Sequence, residues 1–400
     1  MKKILIVSHA MEIGGAERAL LGLLDSLDYS QYEVDLFLMR HEGEMFPYIN
    51  KNVCLLPEMQ AYSVIDIPLK EAVKRGKIFV SVGRLYGRYK ASKYVRDHQL
   101  TDKYSVAIEY SHKYIRKFLP MINPSVTYDL AISFLTPHYC VAEKVHARKK
   151  VAWIHTDYSV CQVDVQSELR MWGRYDKIVS ISDSVTEAFL TTFPTLKDRI
   201  ELIENIQPKS LIKAQVDEFA PDEEMQKNKG IYNLLSIGRF CAQKNFDNVP
   251  NICKHLIESG LNVKWYLIGF GLDERLIMDK IAEEKMQDHV IVLGKKENPY
   301  PYIKACDLYV QPSRYEGKAV TVREAQLIGK PVVITAFPTS SSQLENGVDG
   351  IIVPMDNEGC AHGIAEVLRD AHLMERLSKK CEERDYSNSS EAWKIQRLLV

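Results

Sequence analysis

Residues 308–335 read LYVQPSRYEGKAVTVREAQLIGKPVVIT, and this stretch decides the fold. A short apolar run at Leu308–Gln311 leads into a polar loop, a helical pattern follows, and a second apolar run begins at Val332. Continuous apolar runs of this length are typical of parallel strands that are covered on both faces. The stretch therefore predicts a strand–helix–strand unit of a parallel sheet, with the helix beginning near Ala319.

The same alternation of short apolar strands and longer helical patterns runs through all 400 residues. It predicts a doubly wound α/β fold, because a helix must cross between consecutive parallel strands. In the first half, the predicted strands are Ile4–Ser8, Val34–Leu38, Leu130–Phe134, Val151–Ile154, Ile178–Ile181 and Glu201–Ile203. In the second half, they are Leu234–Ile237, Val263–Ile268, Val290–Leu293, Leu308–Gln311, Val332–Thr335 and Ile351–Val353.

One segment interrupts this alternation and marks the domain boundary. Residues 205–230 are rich in polar residues and contain two prolines, and a new strand–helix series opens directly after them. We expect two similar α/β domains that face each other across a cleft, spanning residues 1–205 and 206–385. The remaining residues, 386–400, include a predicted helix at Ser390–Leu399 that packs back on one of the domains.

Composition and charge exclude several classes of protein. Apolar residues make up 46% and charged residues 26%, so the chain has enough apolar surface to fold rather than remain disordered. The net charge of -1, from 52 basic and 53 acidic side chains, disfavours a general nucleic-acid binder. No apolar run approaches ~20 residues, so no membrane-spanning helix is expected. The eight cysteines are scattered, which favours free thiols in a reducing cytosol over disulfides or a zinc site.

Residues 66–118 depart from the alternation and are expected to form helices inserted into the first domain. Between Lys70 and Phe118 the sequence has thirteen basic residues against four acidic ones, with aromatic residues interleaved. Four apolar side chains share one face of the predicted helix: Ile78, Val82, Leu85 and Tyr89. A basic amphipathic surface at Lys70–Lys117 suits an anionic membrane, and a solvated pair of helices is the alternative. A nucleic-acid surface is disfavoured, because no base-reading module accompanies these helices.

A pair of glycines follows the first predicted strand. Gly14 and Gly15 remove side chains from the strand–helix turn, so free backbone N–H groups there can face a phosphate or a sugar. A tight turn without a ligand explains the pair equally well. Neither this pair nor Gly269-Phe270-Gly271 has the G-x-G-x-x-G spacing of a dinucleotide site, so NAD binding is not supported.

Two cations and two carboxylates in the second half carry a sharper signal. Arg239 and Lys244 follow the end of a strand, where open α/β sheets bind ligands. Fixed positive charge there suits a diphosphate, although a surface ion-pair loop is the alternative. Glu316 lies in the loop after Leu308–Gln311, and Glu324 follows eight residues later. Between them, the N-terminus of the predicted helix offers a second anion site.

Together these motifs resemble those of the retaining glycosyltransferases of family 4, which share the GT-B fold. The resemblance covers nearly the whole chain and is strongest at the E-x7-E element Glu316–Glu324. The other motifs that carry it are Gly14-Gly15-Ala16-Glu17-Arg18, Ser180-Ile181-Ser182-Asp183-Ser184, Gly238-Arg239 with Gln243-Lys244, Gly329-Lys330-Pro331-Val332-Val333 and Gly347-Val348-Asp349-Gly350. It implies two Rossmann-like domains, the first for the acceptor and the second for a nucleotide-sugar donor.

The resemblance implies a role for each motif residue of the donor domain. Arg239 and Lys244 would hold the diphosphate of the donor and stabilise it as the leaving group. Glu316 would lie by the donor sugar, and Glu324 would accept hydrogen bonds from the ribose of the nucleotide. The phosphate cradle would be completed by the backbone N–H groups of Lys318, Ala319 and Val320.

In the first domain, the resemblance implies that Gly15 faces the phosphates or the sugar of the donor. His155, at the end of a predicted strand, matches a catalytic histidine that lies near the donor sugar. The alternative for His155 is a hydrogen-bonded core histidine. Lys318 departs from the family, in which an apolar residue often follows the Glu-Gly pair, and it either adds a third cation near the phosphates or points to solvent.

The expected function is transfer of a hexosyl group, with retention of configuration, from a nucleotide-sugar to a lipid-linked or oligosaccharide acceptor in cell-surface polysaccharide synthesis. UDP is the commonest nucleotide of the family, and the acceptor is often a polyprenyl-diphosphate-linked saccharide for capsule or exopolysaccharide. The chain has no D-x-D triplet, so we expect catalysis without a metal or other cofactor. We expect a cytoplasmic protein that is peripheral at the inner membrane face.

Two other functions stay open at this point: a nucleotide-sugar epimerase of the GT-B fold and a catalytically silent, membrane-associated scaffold. The epimerase needs acid–base groups for the sugar, and no added pair is evident beyond His155 and the glutamates. The scaffold has no physical need for Arg239, Lys244, Glu316 and Glu324. An NAD-dependent dehydrogenase lacks its glycine fingerprint.

Overall fold

The structure is a computed structural model whose described part consists of residues 1–156, 158–159 and 161–399. Val400, the last residue of the predicted C-terminal segment, lies outside that part. The chain divides into two compact units. Unit 1 comprises Met1–Ile206 together with the described residues from Ser389 onward, and unit 2 comprises Gln207–Asn388. Each unit contains one parallel sheet, which confirms the predicted α/β class.

The sheet of unit 1 consists of β1 (Lys2–Ser8), β2 (Tyr32–Leu38), β3 (Cys54–Leu55), β4 (Tyr128–Ser133), β5 (Ala147–Ile154), β6 (Lys177–Ser180) and β7 (Ile200–Leu202). The strands are parallel, in the order β3-β2-β1-β4-β5-β6-β7. Every strand predicted for the first half is present. Strand β3 was not predicted, because two residues, of which Cys54 is exposed, make no apolar run.

The sheet of unit 2 consists of β8 (Tyr232–Ile237), β9 (Val263–Ile268), β10 (Val290–Gly294), β11 (Leu308–Gln311), β12 (Val332–Thr335) and β13 (Ile351–Val353). These strands are also parallel, in the order β10-β9-β8-β11-β12-β13. All six correspond to predicted strands. Residues 308–335 form β11, a helix and β12, as their pattern predicts.

Helices connect successive strands. Those of unit 1 are α1 (Gly15–Ser26), α2 (Gln60–Ser63), α3 (Leu69–Lys74), α4 (Ile78–Asp97), α5 (Tyr104–Ile115), α6 (Tyr139–Lys144), α7 (Val165–Trp172) and α8 (Asp183–Thr192). Those of unit 2 are α9 (Lys209–Gln215), α10 (Val249–Glu258), α11 (Glu274–Glu283), α12 (Tyr300–Ala305), α13 (Val320–Leu327), α14 (Ser340–Gln343), α15 (Asn357–Arg369) and α16 (Ala371–Glu383). Short 3-10 turns lie at Phe46–Tyr48, Arg116–Phe118, Pro194–Arg199, Ala242–Lys244 and Phe246–Asn248.

The central strands are buried on both faces. Ile4, Leu5, Ile6 and Val7 are consecutive in β1, and none of them is accessible to solvent. Because successive side chains of a strand point to opposite faces, such a run requires cover on each side of the sheet. Each buried aliphatic side chain contributes about 1.5–3 kcal/mol to folding, so these runs stabilise the core that supports the site.

Both sheets change winding direction at a strand that is followed in the chain by a predicted site residue. Strand β1 lies between β2 and β4, and β8 lies between β9 and β11. In open α/β sheets, ligands bind outside the carboxyl ends of the strands at such a switch point. Gly15 follows β1, Arg239 follows β8 and Glu316 follows β11. The topology of each unit therefore brings its predicted residues to the ligand-binding edge of its sheet.

The inserted segment of unit 1 consists mainly of α3, α4 and α5. Helices α4 and α5 approach closely at Gly87, where a Cβ would lie only 2.7 Å from the carbonyl oxygen of Tyr110. One predicted membrane-facing cation is misplaced: Arg84 is buried, and it donates hydrogen bonds to the carbonyl oxygens of Val64 and Ile67 at 2.9 and 2.7 Å. Among the described helices, none is long and apolar enough to cross a bilayer.

The C-terminal segment packs on unit 1 and differs from the single helix predicted for it. It forms a 3-10 turn, Ser389–Lys394, followed by the short helix α17 (Ile395–Leu398). Nζ of Lys394 donates to the carbonyl oxygen of Leu202 at 3.0 Å, and Arg397 pairs with Glu201 at 3.2 Å. These contacts join the segment to the end of β7.

Candidate active site

Lys244 and Glu316 form a buried ion pair in unit 2. Lys244 ends the 3-10 turn after β8, and Glu316 lies in the loop after β11. The two strands are neighbours, so their loops meet at the same edge of the sheet. Nζ of Lys244 lies 2.5 Å from Oε1 of Glu316, and the side chains are 15% and 5% exposed. Two of the predicted catalytic residues are therefore in direct contact.

Two further side chains fix the orientation of the Glu316 carboxylate. Ser313 Oγ donates to Oε1 of Glu316 at 2.6 Å, and Gln243 Nε2 donates to Oε2 at 3.2 Å. Ser313 in turn accepts a hydrogen bond from Gln311 Nε2 at 2.9 Å. Neither Ser313 nor Gln311 is among the site residues predicted from the sequence. Gln311 ends β11 and Ser313 lies in the loop between this strand and the Glu-Gly pair, and this position is the signal that could have found them.

Arg239 is the exposed cation of the same loop as Lys244. Its side chain makes no hydrogen bond or ion pair within the described ranges, so the guanidinium is available to an anion. Gly269 supports this loop, since a Cβ there would lie 1.9 Å from the carbonyl oxygen of Gly238. Phe240 N donates to the carbonyl oxygen of Phe270 at 2.8 Å. The Gly269-Phe270-Gly271 motif thus contacts the backbone on both sides of Arg239.

The N-terminus of α13 differs from the predicted phosphate cradle at Ala319. The Ala319 N–H donates to Oε1 of Gln343 at 2.7 Å, and Gln343 Nε2 donates to the Ala319 carbonyl at 3.3 Å. Alanine has no side chain that can cap a helix, and the Gln343 amide from α14 instead pairs with both backbone groups of this N-cap residue. The Ala319 N–H is therefore already occupied in this structure. Lys318 and Val320, on either side, are half-buried.

Glu324 lies inside α13 and is fully buried. The hydroxyl of Tyr300, from α12, donates to Oε1 of Glu324 at 3.1 Å. The predicted ribose-binding carboxylate thus has a protein hydroxyl as a partner here.

Among the described residues, no group of three or more histidine, cysteine, aspartate or glutamate side chains is arranged to hold a metal ion.

In unit 1, Gly15 is the exposed first residue of α1. Its neighbour Gly14 is the N-cap, and a Cβ there would lie 2.1 Å from Oε2 of Glu17. Glycine therefore leaves room for the Glu17 carboxyl over the first turn of α1. Burial raises the pKa of Glu17 above its usual range.

His155 directly follows β5 and lines a cavity of about 230 Å³ inside unit 1. The cavity lies between α5, α7 and the carboxyl ends of β4 and β5, and we call it the unit 1 cavity. Nε2 of His155 is buried and has no hydrogen-bond partner among the described residues. The alternative prediction is a core histidine whose ring nitrogens are both hydrogen-bonded. Nε2 does not fit it, because it has no partner in the described part of the chain.

Burial sets the protonation of the ionisable groups around the unit 1 cavity. It lowers the pKa of His112 and of His155 to about 4, and that of His138 to about 3, so these imidazoles are neutral near pH 7. It raises the pKa of Glu168 to about 7, and it also raises the pKa of Glu109. Burial thus disfavours the charged form of each of these groups.

The two cavity glutamates were not predicted from the sequence. Glu109 Oε1 accepts hydrogen bonds from Tyr139 at 2.7 Å and from Ser167 at 2.8 Å. Glu168 Oε2 accepts one from Tyr158 at 2.7 Å. Both glutamates lie within helices, where an acidic residue is ordinarily exposed, so only the tertiary structure shows their burial.

A second pair lies at the carboxyl end of β1. His9 Nδ1 is 2.8 Å from Oδ2 of Asp66. Burial alone would raise the pKa of Asp66, but the hydrogen bond and the charge of His9 outweigh it and lower this pKa to about 2. The pair joins the end of β1 to the loop between α2 and α3.

The architecture is shared with solved structures of known type. HepE of Anabaena, crystallised with UDP and glucose, superposes with a TM-score of 0.67 over 99% of both chains at 16% identity. The chain has the GT-B fold. At this identity the likeness concerns the fold alone, and within the GT-B fold the two Rossmann-like sheets correspond to units 1 and 2.

The sequence comparison concerns the unit that holds Arg239, Lys244 and Glu316. Residues 218–384, all in unit 2 of this GT-B chain, match the family model of glycosyl transferases group 1. An uncharacterized glycosyltransferase of Methanocaldococcus jannaschii is 25% identical over 174 residues, which are 43% of this chain and 42% of that protein. The match and the fold together support a GT-B glycosyltransferase.

A second relative has a named reaction. The UDP-Gal:alpha-D-GlcNAc-diphosphoundecaprenol alpha-1,3-galactosyltransferase of Escherichia coli is 22% identical over 160 residues, 39% of this chain. The chain thus spans about two fifths of the length of each of these curated relatives.

Proposed function

We propose that this protein is a retaining glycosyltransferase that moves a hexosyl group from a UDP-sugar to a hydroxyl of a lipid-linked saccharide in cell-surface polysaccharide synthesis. The buried pair of Lys244 and Glu316, in contact with the loop that presents Arg239, carries this proposal. These three residues provide charges of both signs at one switch point. Departure of a diphosphate from a sugar needs both, because charge of opposite sign develops on the two fragments.

The chemistry follows from how the charges separate. The bond between the anomeric carbon and the diphosphate oxygen breaks, and its electron pair goes to the diphosphate. Arg239 and Lys244 stabilise that negative charge, while the Glu316 carboxylate stabilises the positive charge on the ring. The acceptor oxygen bonds to the anomeric carbon on the face that the diphosphate leaves. Because attack and departure occur on the same face, the configuration is retained. The proton of the acceptor hydroxyl passes to the departing oxygen.

We propose that no divalent metal takes part, since Arg239 and Lys244 supply the positive charge that a metal would otherwise provide. The test is turnover of the UDP-sugar before and after treatment with EDTA. Activity unchanged by the chelator supports the proposal. A complete loss that Mg²⁺ or Mn²⁺ restores would overturn it.

UDP is the proposed nucleotide because the HepE crystals contain UDP and the relative from Escherichia coli is named for UDP-Gal. A thermal-shift screen against UDP-, GDP- and ADP-sugars tests this choice, because a ligand that binds only the folded state raises the melting temperature. We expect the largest rise with a UDP-sugar, and loss of that rise in Arg239→Gln. A rise with UDP-sugars that is equal in Arg239→Gln would count against the assigned role.

The lipid-linked acceptor is supported by the surface of helix α4. Five apolar side chains of this helix are each more than half exposed: Ile78, Phe79, Val82, Leu85 and Tyr89. Exposed cations flank them, including Lys74, Arg88 and Lys93. An apolar face bordered by cations suits an anionic lipid surface, which combines negative headgroups with an apolar interior.

Sedimentation with vesicles of phosphatidylcholine and phosphatidylglycerol tests this membrane surface. We expect binding that weakens with salt and that Phe79→Glu combined with Leu85→Glu abolishes. Leu272→Glu is the matched control, because Leu272 is a fully exposed apolar residue of unit 2. Equal binding of all variants, or indifference to phosphatidylglycerol, would contradict the assignment.

A further inference from the structure

Several residues that line the unit 1 cavity have a buried polar atom without a hydrogen-bond partner in the described part of the chain. Three residues that line it each have one: Oε2 of Glu109, Nε1 of Trp153 and Nε2 of His155. None of these atoms has a hydrogen-bond partner among the described residues. Buried polar groups in folded proteins are normally paired, because an unpaired group loses its hydrogen bonds to water without replacement. Three such atoms around one cavity indicate that something else pairs with them.

The hydrogen-bonding character of these atoms identifies the kind of group that fits. The indole N–H of Trp153 donates, the carboxyl oxygen of Glu109 accepts when ionised, and the imidazole nitrogen of His155 does either, depending on its tautomer. A hydroxyl group both donates and accepts, so neighbouring hydroxyls on one ring can satisfy donors and acceptors together. A group that only accepts, such as a phosphate, would leave the carboxyl unsatisfied.

The charges of the residues that line the cavity also favour a neutral ligand. No lysine or arginine is among the described residues that line the cavity, so nothing there balances a phosphate. The histidines are neutral because burial lowers the pKa of His112 and His155 to about 4. The Glu168 carboxyl is half-protonated near neutral pH, since its pKa is raised to about 7. A neutral ligand therefore enters at the smallest electrostatic cost.

Size limits the ligand to one ring. The cavity measures about 230 Å³, which is below the roughly 300–1,000 Å³ typical of sites for drug-sized molecules. Its lining includes Trp172, whose buried ring offers an apolar surface, and Tyr104, whose side chain is 75% exposed. The exposed Tyr104 indicates where the cavity reaches solvent.

We propose that the unit 1 cavity binds one neutral, hydroxyl-bearing sugar ring of the acceptor, with Glu109, Trp153 and His155 as its hydrogen-bonding partners. This inference rests on the proposed glycosyltransferase function and specifies its acceptor site. The donor's ring is bonded directly to a diphosphate, which is assigned to Arg239 and Lys244, and no such cation is among the described residues that line this cavity. The enclosed ring is therefore assigned to the acceptor, and the competition experiment below separates it from the donor ring that the resemblance places near His155. Glu109 and Trp153 are thereby specificity residues that select a neutral sugar over an anionic group.

Ligand-observed NMR on the full chain tests the assignment. The probes are methyl glycosides of glucose, galactose and N-acetylglucosamine, with UDP as an independent reporter of unit 2. The variants are Glu109→Gln, which replaces the unpaired oxygen, and Ile108→Trp, which fills the cavity. Glu143→Gln is the matched control, because Glu143 belongs to unit 1 and pairs with Arg116 and Arg174 away from the cavity lining.

We expect at least one glycoside to bind the unaltered protein and the control, and to bind Glu109→Gln and Ile108→Trp at least tenfold more weakly. UDP binding should be equal in all four proteins, which also shows that the variants fold. Glycoside binding that the two cavity variants leave unchanged, or no glycoside binding at tens of millimolar, would overturn the inference. In that case UDP binding would still support the donor site.

A competition experiment separates the acceptor from the donor as the source of the ring. UDP-glucose and UDP-galactose are added to the protein with its bound glycoside. We expect the glycoside signal to persist, because the two ligands occupy different sites. Displacement by the UDP-sugar but not by UDP would overturn the acceptor assignment, since it would place the donor's own ring in the cavity.

Discussion

Nζ of Lys244 lies 2.5 Å from Oε1 of Glu316, although 72 positions separate the two residues in the chain. The pair is nearly enclosed, so each charge has lost most of its water and depends on the other. A diphosphate that arrives beside this pair offers Lys244 a second anionic partner. In the proposed function, the same lysine pairs with Glu316 in the free protein and with the leaving group during the reaction.

Replacing Lys244 should therefore affect both stability and binding. We expect Lys244→Ala to lower the free energy of unfolding by about 3 kcal/mol, because it leaves Glu316 buried without its partner, and to remove the thermal shift caused by UDP. Lys254→Ala is the control: Lys254 forms an ion pair with Glu284 at 3.0 Å that is more exposed than the Lys244–Glu316 pair, so its loss should change stability by about 1 kcal/mol or less. Denaturant unfolding and UDP titration measure the two effects. Unaltered UDP affinity in Lys244→Ala would contradict the proposed binding of the diphosphate by Lys244.

Neutralising Glu316 should separate catalysis from donor binding. Glu316→Gln keeps the shape of the side chain and can still accept from Ser313, but it cannot carry the negative charge that opposes the charge on the sugar. We expect kcat to fall by about 10²–10³, with the dissociation constant for the UDP-sugar nearly unchanged. Steady-state kinetics and calorimetric titration distinguish the two quantities, and Glu284→Gln serves as the surface control. An unchanged kcat would remove Glu316 from the reacting centre.

The loop that presents Arg239 should depend on Gly269. A methyl group at this position would lie 1.9 Å from the carbonyl oxygen of Gly238, so Gly269→Ala must displace that loop. We expect a loss of about 1–3 kcal/mol in stability and a UDP affinity reduced at least tenfold. In Gly260→Ala, where no atom lies within 4 Å of the added methyl group, stability should fall while UDP affinity is retained. Equal UDP affinity in both variants would show that Gly269 does not position the site.

The buried carboxyl of Glu168 should give the protein a pH-dependent stability. Its folded pKa of about 7 lies above the unfolded value of about 4.3, so between these values the folded protein holds a proton that the unfolded chain has released. Its contribution to the free energy of unfolding is therefore present in full below about pH 4 and is lost as pH rises through 7. Glu168→Gln has no such proton. As pH rises from 4.5 to 8, we expect the free energy of unfolding of this variant to increase by on the order of 3 kcal/mol relative to that of the unaltered protein.

Urea unfolding of both proteins at these two pH values measures that gain. Glu143→Gln, at an ion pair on the surface of unit 1, should show no comparable change with pH. The cavity histidines act in the opposite sense, because their folded pKa values lie below the ordinary 6.5 and their contribution is lost as pH falls. They are common to both proteins and cancel in the comparison. A difference in stability that does not vary with pH would contradict the pKa assigned to Glu168.

Much of the proposed donor site could be predicted from the sequence because its parts are close together in the chain. Arg239 and Lys244 share one loop, and Glu316 stands directly after a strand whose apolar run is unmistakable. The structure adds Ser313 and Gln243, which hold the carboxylate. It also shows that the Ala319 N–H donates to Gln343, 24 positions away, a contact that no local pattern indicates.

By itself, the sequence determined the parallel strands, the two-part α/β organisation and the residues at the carboxyl ends of β8 and β11, because apolar periodicity and strand–loop order are written into neighbouring positions. Only the tertiary structure decided that Lys244 and Glu316 touch, that Arg84 is buried and that Glu109 and Glu168 line a cavity. These facts depend on which helix faces are covered and on contacts between distant segments. Burial, rather than residue type, then sets the charge each of the cavity carboxyls and imidazoles carries.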